Sequence, residues 1–447
     1  MQPNKNLTLV LITAFIITVA VLLYVLVNKF ILNTGSPIGN KITLDYWGLY
    51  ESEVVMNEMI KKYEAENPNV DITYTQKLGE NDLYNYKKNL LSRLRNGTGP
   101  AVFRAHSTWM PSFYSELSKT NKAISPEEYQ SRFYSIANSQ CVTLSKQVVC
   151  IPIMYDGLAL LYNVDILRNE GINPSSIQTW EDLRVAAVRL TRYSNNNEYS
   201  VRTIERSGVA LGDPSNVVNT PDILGLMFLQ NGLVVPDDLV SDKTKLIFEF
   251  YTDFVSKDRV WDSTMPNSLN AFASGQTVMV FAKSTQMIDI LKLNPTINMG
   301  ALPVPQLPVF GGDLTKNGWA SFWVETVSDD LSAAEQKEAW KFLEWLSKDE
   351  NQVFRFNLAS KYSKFGEAYS SIKLKNNLIN SPLLGPIVST ADDAKTARYA
   401  DTSGNDPYIK LFTDAIKEYL ETKSEAALSA VFTKLKFDYE TLTQKEP

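Results

Sequence analysis

The chain has 447 residues, too many for one ordinary domain, so two or three folded units are expected. Hydrophobic residues at 44% and charged residues at 21% describe a well-packed globular protein and exclude extensive disorder. A formal net charge of −6 excludes nucleic acid as the main partner, because phosphate binding needs a basic face.

From Leu7 to Val27 the sequence carries no charge, is dominated by Leu, Ile and Val, and lies between Lys5 and Lys29. An apolar run of about 20 residues spans a bilayer core, whereas a cleaved secretory peptide has a shorter apolar region followed by a small-residue site. The reading is a cytoplasmic tail (1–6), a transmembrane anchor (7–29) and a linker rich in turn formers (30–40). Cleavage near Asn33–Ser36 is the alternative. No cysteine lies near the end of the run, which excludes lipid attachment there.

Beyond the linker, Ile42–Trp47 reads as a strand by β-propensity. Met56, Met59, Ile60 and Tyr63 form a helical stripe that Asn67-Pro68 ends. Val70–Tyr74 alternates as a second strand, a helix follows over 82–95 and stops near Gly97, and Ala101–Phe103 is a third strand. This alternation predicts an α/β unit with parallel strands and right-handed crossovers.

Cys141 and Cys150 bracket an alternating segment. Folded about Ser145-Lys146 with a two-residue turn, it pairs Leu144 with Gln147. Cys141 then faces Cys150 in a non-hydrogen-bonded pair, with Cα atoms about 4.5 Å apart. That is within reach of a disulfide, and two separate thiols are the alternative. A disulfide places the folded part in an oxidising compartment outside the cytoplasm.

Leu158–Tyr162 and Thr277–Phe281 are apolar runs suited to strands buried on both faces. Thr179 and Asp182 have the form of a capping box before the stripe Leu183, Ala186, Ala187 and Leu190. Residues 193–221, rich in Asn, Ser and Pro, read as a surface loop. Ala339, Phe342, Leu343 and Leu346 mark another helix, and the C-terminal stretch reads as helical with breaks at Pro407 and around Thr422.

The only histidine is His106, which leaves no paired-histidine metal site or histidine-based triad. Neither a P-loop nor a Gly-x-Ser-x-Gly elbow occurs. No catalytic residue, metal or cofactor is assigned; a pair of carboxylates of the glycosidase kind is the enzymatic alternative. The remaining signal is aromatic. Trp47, Trp109, Tyr155, Trp261, Trp319, Trp323 and Tyr399 fall at strand ends or in loops, where aromatic faces can cover the C–H surface of sugar rings. Core packing is the competing explanation for each of them. Trp47 and Trp109 follow strands at the carboxyl edge, where α/β folds bind ligands.

An ordered set of segments, spanning about 41 to 440, resembles family 1 extracellular solute-binding proteins, the group that includes maltose-binding protein. The set comprises Ile42–Trp47 with Tyr63–Val70, Asn96–Phe103, Val149–Asp156 with Leu161–Asp165 and Thr179–Leu183, Ala271–Met279, Gly300–Pro305, and Ala339–Leu346. The resemblance implies a two-lobe, class II periplasmic-binding-protein-like α/β fold with hinge crossovers near 153–157, 304–322 and 360–366. Lobe 1 would hold 41–154 plus 322–362, and lobe 2 would hold 155–303 plus 366–447, with the hinge crossing at 304–321. It also implies a monomer that captures a small ligand, a carbohydrate, in the cleft between lobes and delivers it to ABC transporter permease subunits. A sensor or adhesin of the same fold is the alternative function.

By position in the matching segments, the implied ligand contacts are Trp47, His106, Trp109, Tyr155, Asp156, Trp319 (within Gly318–Ser321) and Tyr399. Two departures bear on the ligand. Ala101 stands where the family usually has Asp, and Lys283-Ser-Thr-Gln286 replaces a Gly-x-Trp turn that supplies a stacking platform in many sugar-binding members. Arg104 with His106 leaves room for an anionic ligand.

Overall fold

The computed structural model describes residues 41–77, 83–194, 203–309, 311–400, 406–422 and 425–445. The tail, anchor and linker expected at 1–6, 7–29 and 30–40 lie outside these. Among the described residues, no helix is long and apolar enough to cross a membrane.

Strand β1 (Ile42–Gly48) leads to helix α1 (Glu53–Glu66), strand β2 (Val70–Gln76), helix α2 (Leu83–Arg95) and strand β3 (Val102–His106). β1 runs parallel to β2, from Ile42 opposite Val70 to Gly48 opposite Gln76, and parallel to β3. Leu44, Tyr46 and Gly48 of β1 point inward and Thr43 and Asp45 outward, the period of two expected of a half-covered strand. All five residues of β3 are buried, since it is flanked by strands on both edges. The stripe read from the sequence, Met56, Met59, Ile60 and Tyr63, is the buried face of α1.

Helix α3 (Ser135–Cys141) runs up to the disulfide between Cys141 and Cys150, whose Cα atoms are 4.9 Å apart. The covalent link matches the sequence reading; the hairpin beneath it does not. Val142 bridges Val148, and Thr143 N–H donates to Gln147 O, so the register is slipped by one residue. The Thr143 hydroxyl accepts from the Gln147 N–H, and Lys146 adopts a φ of 59°, which builds a longer turn than two residues allow.

The chain then crosses to a second sheet. It includes β4 (Ala159–Asn163), β5 (Ile204–Val209), β6 (Thr277–Ala282) and β7 (Met299–Leu302), packed with α4 (Trp180–Leu190), α5 (Thr220–Gln230), α6 (Asp242–Ser256) and α7 (Ser284–Leu293). The order is Arg192–Tyr193, β5, β6, β4, β7, with β5 parallel to β6 and β4 antiparallel to both its neighbours. The capping box at Thr179 and Asp182 is present, with both reciprocal bonds. The surface loop read at 193–221 is corrected: β5 and the start of α5 lie inside it, and Val209, Ala210 and Leu211 are fully buried. Polar residues disguised the strand. Ser207 donates to Val209 O, Thr191 Oγ1 accepts from Gly208 N–H, and a Cβ on Gly208 would lie 2.0 Å from the Ala187 carbonyl oxygen.

A second passage returns the chain to β8 (Trp323–Val327), which pairs antiparallel with β3 and completes the first sheet in the order β8, β3, β1, β2. Helices α8 (Ala333–Leu346) and α9 (Asp349–Ala359) follow on that lobe, and a third passage leads to α10 (Pro407–Glu421) and α11 (Glu425–Lys445) on the second lobe. Pro407 begins α10 at its first turn instead of breaking a helix, with Asp406 as N-cap. The three passages lie side by side: Tyr155 pairs with Ala368, and Gly157 with Ala320.

Candidate ligand-binding seam

On the first lobe, β3 ends in His106 and turns through Ser107–Trp109. His106, Trp109 and Trp323 form a buried corner. The imidazole meets Trp323 edge-on at 5.1 Å, and the Trp109 indole meets Trp323 at 5.5 Å and 89°. Phe113 stacks on Trp109 at 16°. Burial, followed by the positive charges of Lys283 and Lys87, holds the imidazole well below its usual range, so His106 is neutral. Its Nδ1 lies 2.7 Å from Thr108 Oγ1.

On the second lobe, Trp319 leaves the second passage and donates through Nε1 to Asp222 Oδ1 at 2.9 Å. The other carboxylate oxygen of Asp222 lies 3.0 Å from Lys283 Nζ, and both side chains are 2% exposed. Trp319 lies stacked on Tyr399, with centroids 6.1 Å apart and planes at 24°. This arrangement depends on Gly225 of α5, where a Cβ would lie 2.2 Å from Trp319 Cζ2.

The two faces meet. The Ser107–Trp109 turn packs on the Arg398–Ala400 turn, and Lys87 of α2, lying over the Trp109 ring, pairs with Asp406 at 3.0 Å. The structure thus brings together four of the sequence-read residues, His106 and Trp109 from one lobe and Trp319 and Tyr399 from the other. Asp156 borders the same seam but is committed: its carboxylate accepts from Gly157, Ser284 and Thr285 N–H and from the Thr285 hydroxyl, capping α7. Tyr155 packs between Tyr134 and Phe322 among the passages. Trp47 stands apart, its ring covered by Lys77 Nζ at 3.8 Å and the Arg93 guanidinium at 5.6 Å. Trp261, another of the aromatics, is fully buried and donates to Asn216 Oδ1 at 2.7 Å.

The anionic-ligand option that rested on Arg104 is corrected. Arg104 is fully buried and occupied by Glu325 at 2.7 Å, Glu367 at 3.0 Å and the Leu49 carbonyl at 3.2 Å. Arg355 of α9 joins this cluster by pairing with Glu51 and Glu367 and donating to the Ile153 carbonyl, each at 2.5 Å. Asp222 and Lys283 escaped sequence reading. The signal for Lys283 was its place in the segment that departs from the family turn; Asp222 carried none. Among the described residues, no group of three or more His, Cys, Asp and Glu side chains is placed to hold a metal ion.

Residues 58–364 match the family of bacterial extracellular solute-binding proteins. The chain belongs to that family. No curated protein matches this solute-binding protein in sequence. Among solved structures, it is similar to a cyclic α-maltosyl-1,6-maltose-binding protein from Arthrobacter globiformis, at 16% identity and a TM-score of 0.68, covering 90% of this chain and 99% of that one. An ABC transporter solute-binding protein from Thermotoga lettingae bound with α-D-tagatose is 19% identical, with a TM-score of 0.66 over 89% of this chain and 99% of that one. The maltose-binding periplasmic protein from Listeria monocytogenes, in complex with maltose, is 16% identical, with a TM-score of 0.66 over 92% of this chain and all (100%) of the other. At these identities the likeness establishes the mixed α/β, two-lobe fold of solute-binding proteins.

Proposed function

We propose that this solute-binding protein captures a carbohydrate between its lobes, without altering it, and delivers it to the permease of an ABC importer. The observation that carries the reading is the seam itself, where His106, Trp109 and Trp323 face Trp319 and Tyr399 across the junction of the lobes. Indole and phenol faces match the C–H surface of sugar rings, and neutral His106 with the paired Asp222 and Lys283 offers hydroxyl-directed polar groups. The neighbours named above, bound with tagatose or maltose, support the same class of ligand.

The lobes would comprise 41–154 with 322–362, and 155–303 with 366–447, joined through 304–321 and closing as rigid bodies on the ligand. The anchor at 7–29 would hold a monomer at the outer face of the cell membrane. A sugar panel tests the reading. A bound sugar should change intrinsic tryptophan fluorescence and raise the melting temperature of the full-length chain, since it binds the native state alone. A panel of mono- and oligosaccharides that moves neither signal would refute it.

A further inference from the structure

The polar atoms along the seam are unevenly used. Asn219 and Gln286 bond each other reciprocally, and every oxygen of the Asp156 carboxylate is occupied. By contrast, His106 Nε2, Lys283 Nζ and Ser321 Oγ are buried with no hydrogen-bond partner. Lys283 sits 3.0 Å from Asp222 without meeting hydrogen-bond geometry, so its protons remain to be directed. Each such unmet group carries a desolvation cost that a ligand's hydrogen bond can remove. The three lie on converging elements: His106 at the end of β3, Lys283 between β6 and α7, and Ser321 on the passage between Trp319 and Trp323. Ser284 N–H donates to Asp156, Gly157 pairs with Ala320 and Trp323 lies opposite His106, so Lys283 and Ser321 both adjoin the first passage and Ser321 leads into the strand beside His106.

The charges decide the ligand class. The one ammonium of this group is already matched by Asp222, and Asp156 adds a second carboxylate nearby. An anionic ligand would therefore bring a negative charge to a site with no unmatched cation and two carboxylates. A hydroxyl can donate and accept, so it can satisfy His106 in either tautomer, together with Lys283 and Ser321.

Resting on the carbohydrate reading above, we infer that His106, Lys283 and Ser321 bind the hydroxyls of a neutral saccharide. The Asp222–Lys283 pair, already charge-matched, leaves no cation for uronates and sugar phosphates and so rejects them.

The test compares glucose, galactose and maltose with glucuronate, galacturonate and glucose 6-phosphate, by thermal shift and calorimetry on the full-length chain in detergent. The expected result is that a neutral sugar binds and its charged counterpart binds about tenfold more weakly or worse. Asp222→Asn keeps an acceptor for Trp319 but leaves Lys283 unmatched, and should narrow that gap about tenfold. Ser321→Ala, a small change that also removes an unmet buried hydroxyl, should weaken the neutral sugar without lowering the ligand-free melting temperature. A charged sugar binding as tightly as its neutral counterpart overturns the inference. So does undiminished neutral-sugar affinity in Ser321→Ala, or an unchanged gap in Asp222→Asn. If no sugar of either kind binds, the carbohydrate reading itself falls.

Discussion

At the scale of single residues, the seam is set by close approaches that leave no slack. Trp319 reaches Asp222 because its indole lies directly on Gly225, inside α5. Gly225→Ala places a methyl 2.2 Å from Trp319 Cζ2, so the indole must move or the helix must shift. Overpacking of this kind typically costs about 1–3 kcal/mol, and here it also pulls the indole away from its carboxylate. The expected outcome is a lower urea midpoint with an unchanged m-value, and a shifted tryptophan emission. A variant with wild-type midpoint and emission would show that the contact is not tight. Sequence reading singled out Trp319 and Tyr399, which the structure stacks together, because large aromatics in loops are conspicuous. It passed over Asp222, which looks like any acidic residue in a helical first turn until the fold sets it between an indole and an ammonium. It placed Trp47 in the cleft by analogy of position, whereas Lys77 and Arg93 cover that ring.

Elements legible in the sequence were those whose periodicity matched their burial. The β1–α1–β2–α2–β3 unit is half-covered or fully covered in a regular way, so alternation and helical stripes marked it. β5 was illegible because Glu205, Arg206 and Ser207 break the apolar pattern, and its buried polar group is met by local bonds that leave no periodic trace. The Cys141–Cys150 spacing revealed the disulfide but not the register beneath it, since a turn with one residue at positive φ lengthens the loop without changing the spacing. Helix α7 shows the same dependence on distant partners: its first N–H groups are capped by Asp156, 128 residues away in sequence. Asp156→Ala removes that cap and leaves buried donors unmet, which should cost about 1–2 kcal/mol. Hydrogen exchange should then quicken at Ser284 and Thr285, and protection unchanged there would contradict the capping role.

At the scale of the whole molecule, the charged cluster by the passages makes stability depend on pH. Three carboxylates, Glu51, Glu325 and Glu367, face two guanidiniums, Arg104 and Arg355, so one negative charge is in excess. Burial and the neighbouring Glu367 push Glu51 up to about 7, against Arg355 and Arg104. Burial also opposes ionisation of Glu367, but Arg104 and Arg355 prevail and bring it down to about 2. Glu325 is raised chiefly by burial. The proton belongs to the cluster more than to one residue. Between the ordinary carboxylate value, about 4.3, and 7, the native state binds the proton that the unfolded chain releases. Stability from Glu51 therefore falls as pH rises through that window, whereas stability from Glu367 is lost as pH falls from about 4.3 toward 2. Buried His106, held neutral, gives the opposite slope below its ordinary value and is common to both proteins, so the comparison is the test: urea midpoints followed from pH 4.5 to 8 should fall more steeply, or rise less, in the wild type than in Glu51→Gln, which carries no titrating proton there. Parallel curves for the two proteins would remove Glu51 as the source. Because Arg355 also holds the Ile153 carbonyl on the first passage and Glu367 sits on the third, this proton helps fix the passages that join the lobes. Under the carbohydrate reading proposed above, the same pH series should alter affinity for a bound sugar more in the wild type than in Glu51→Gln.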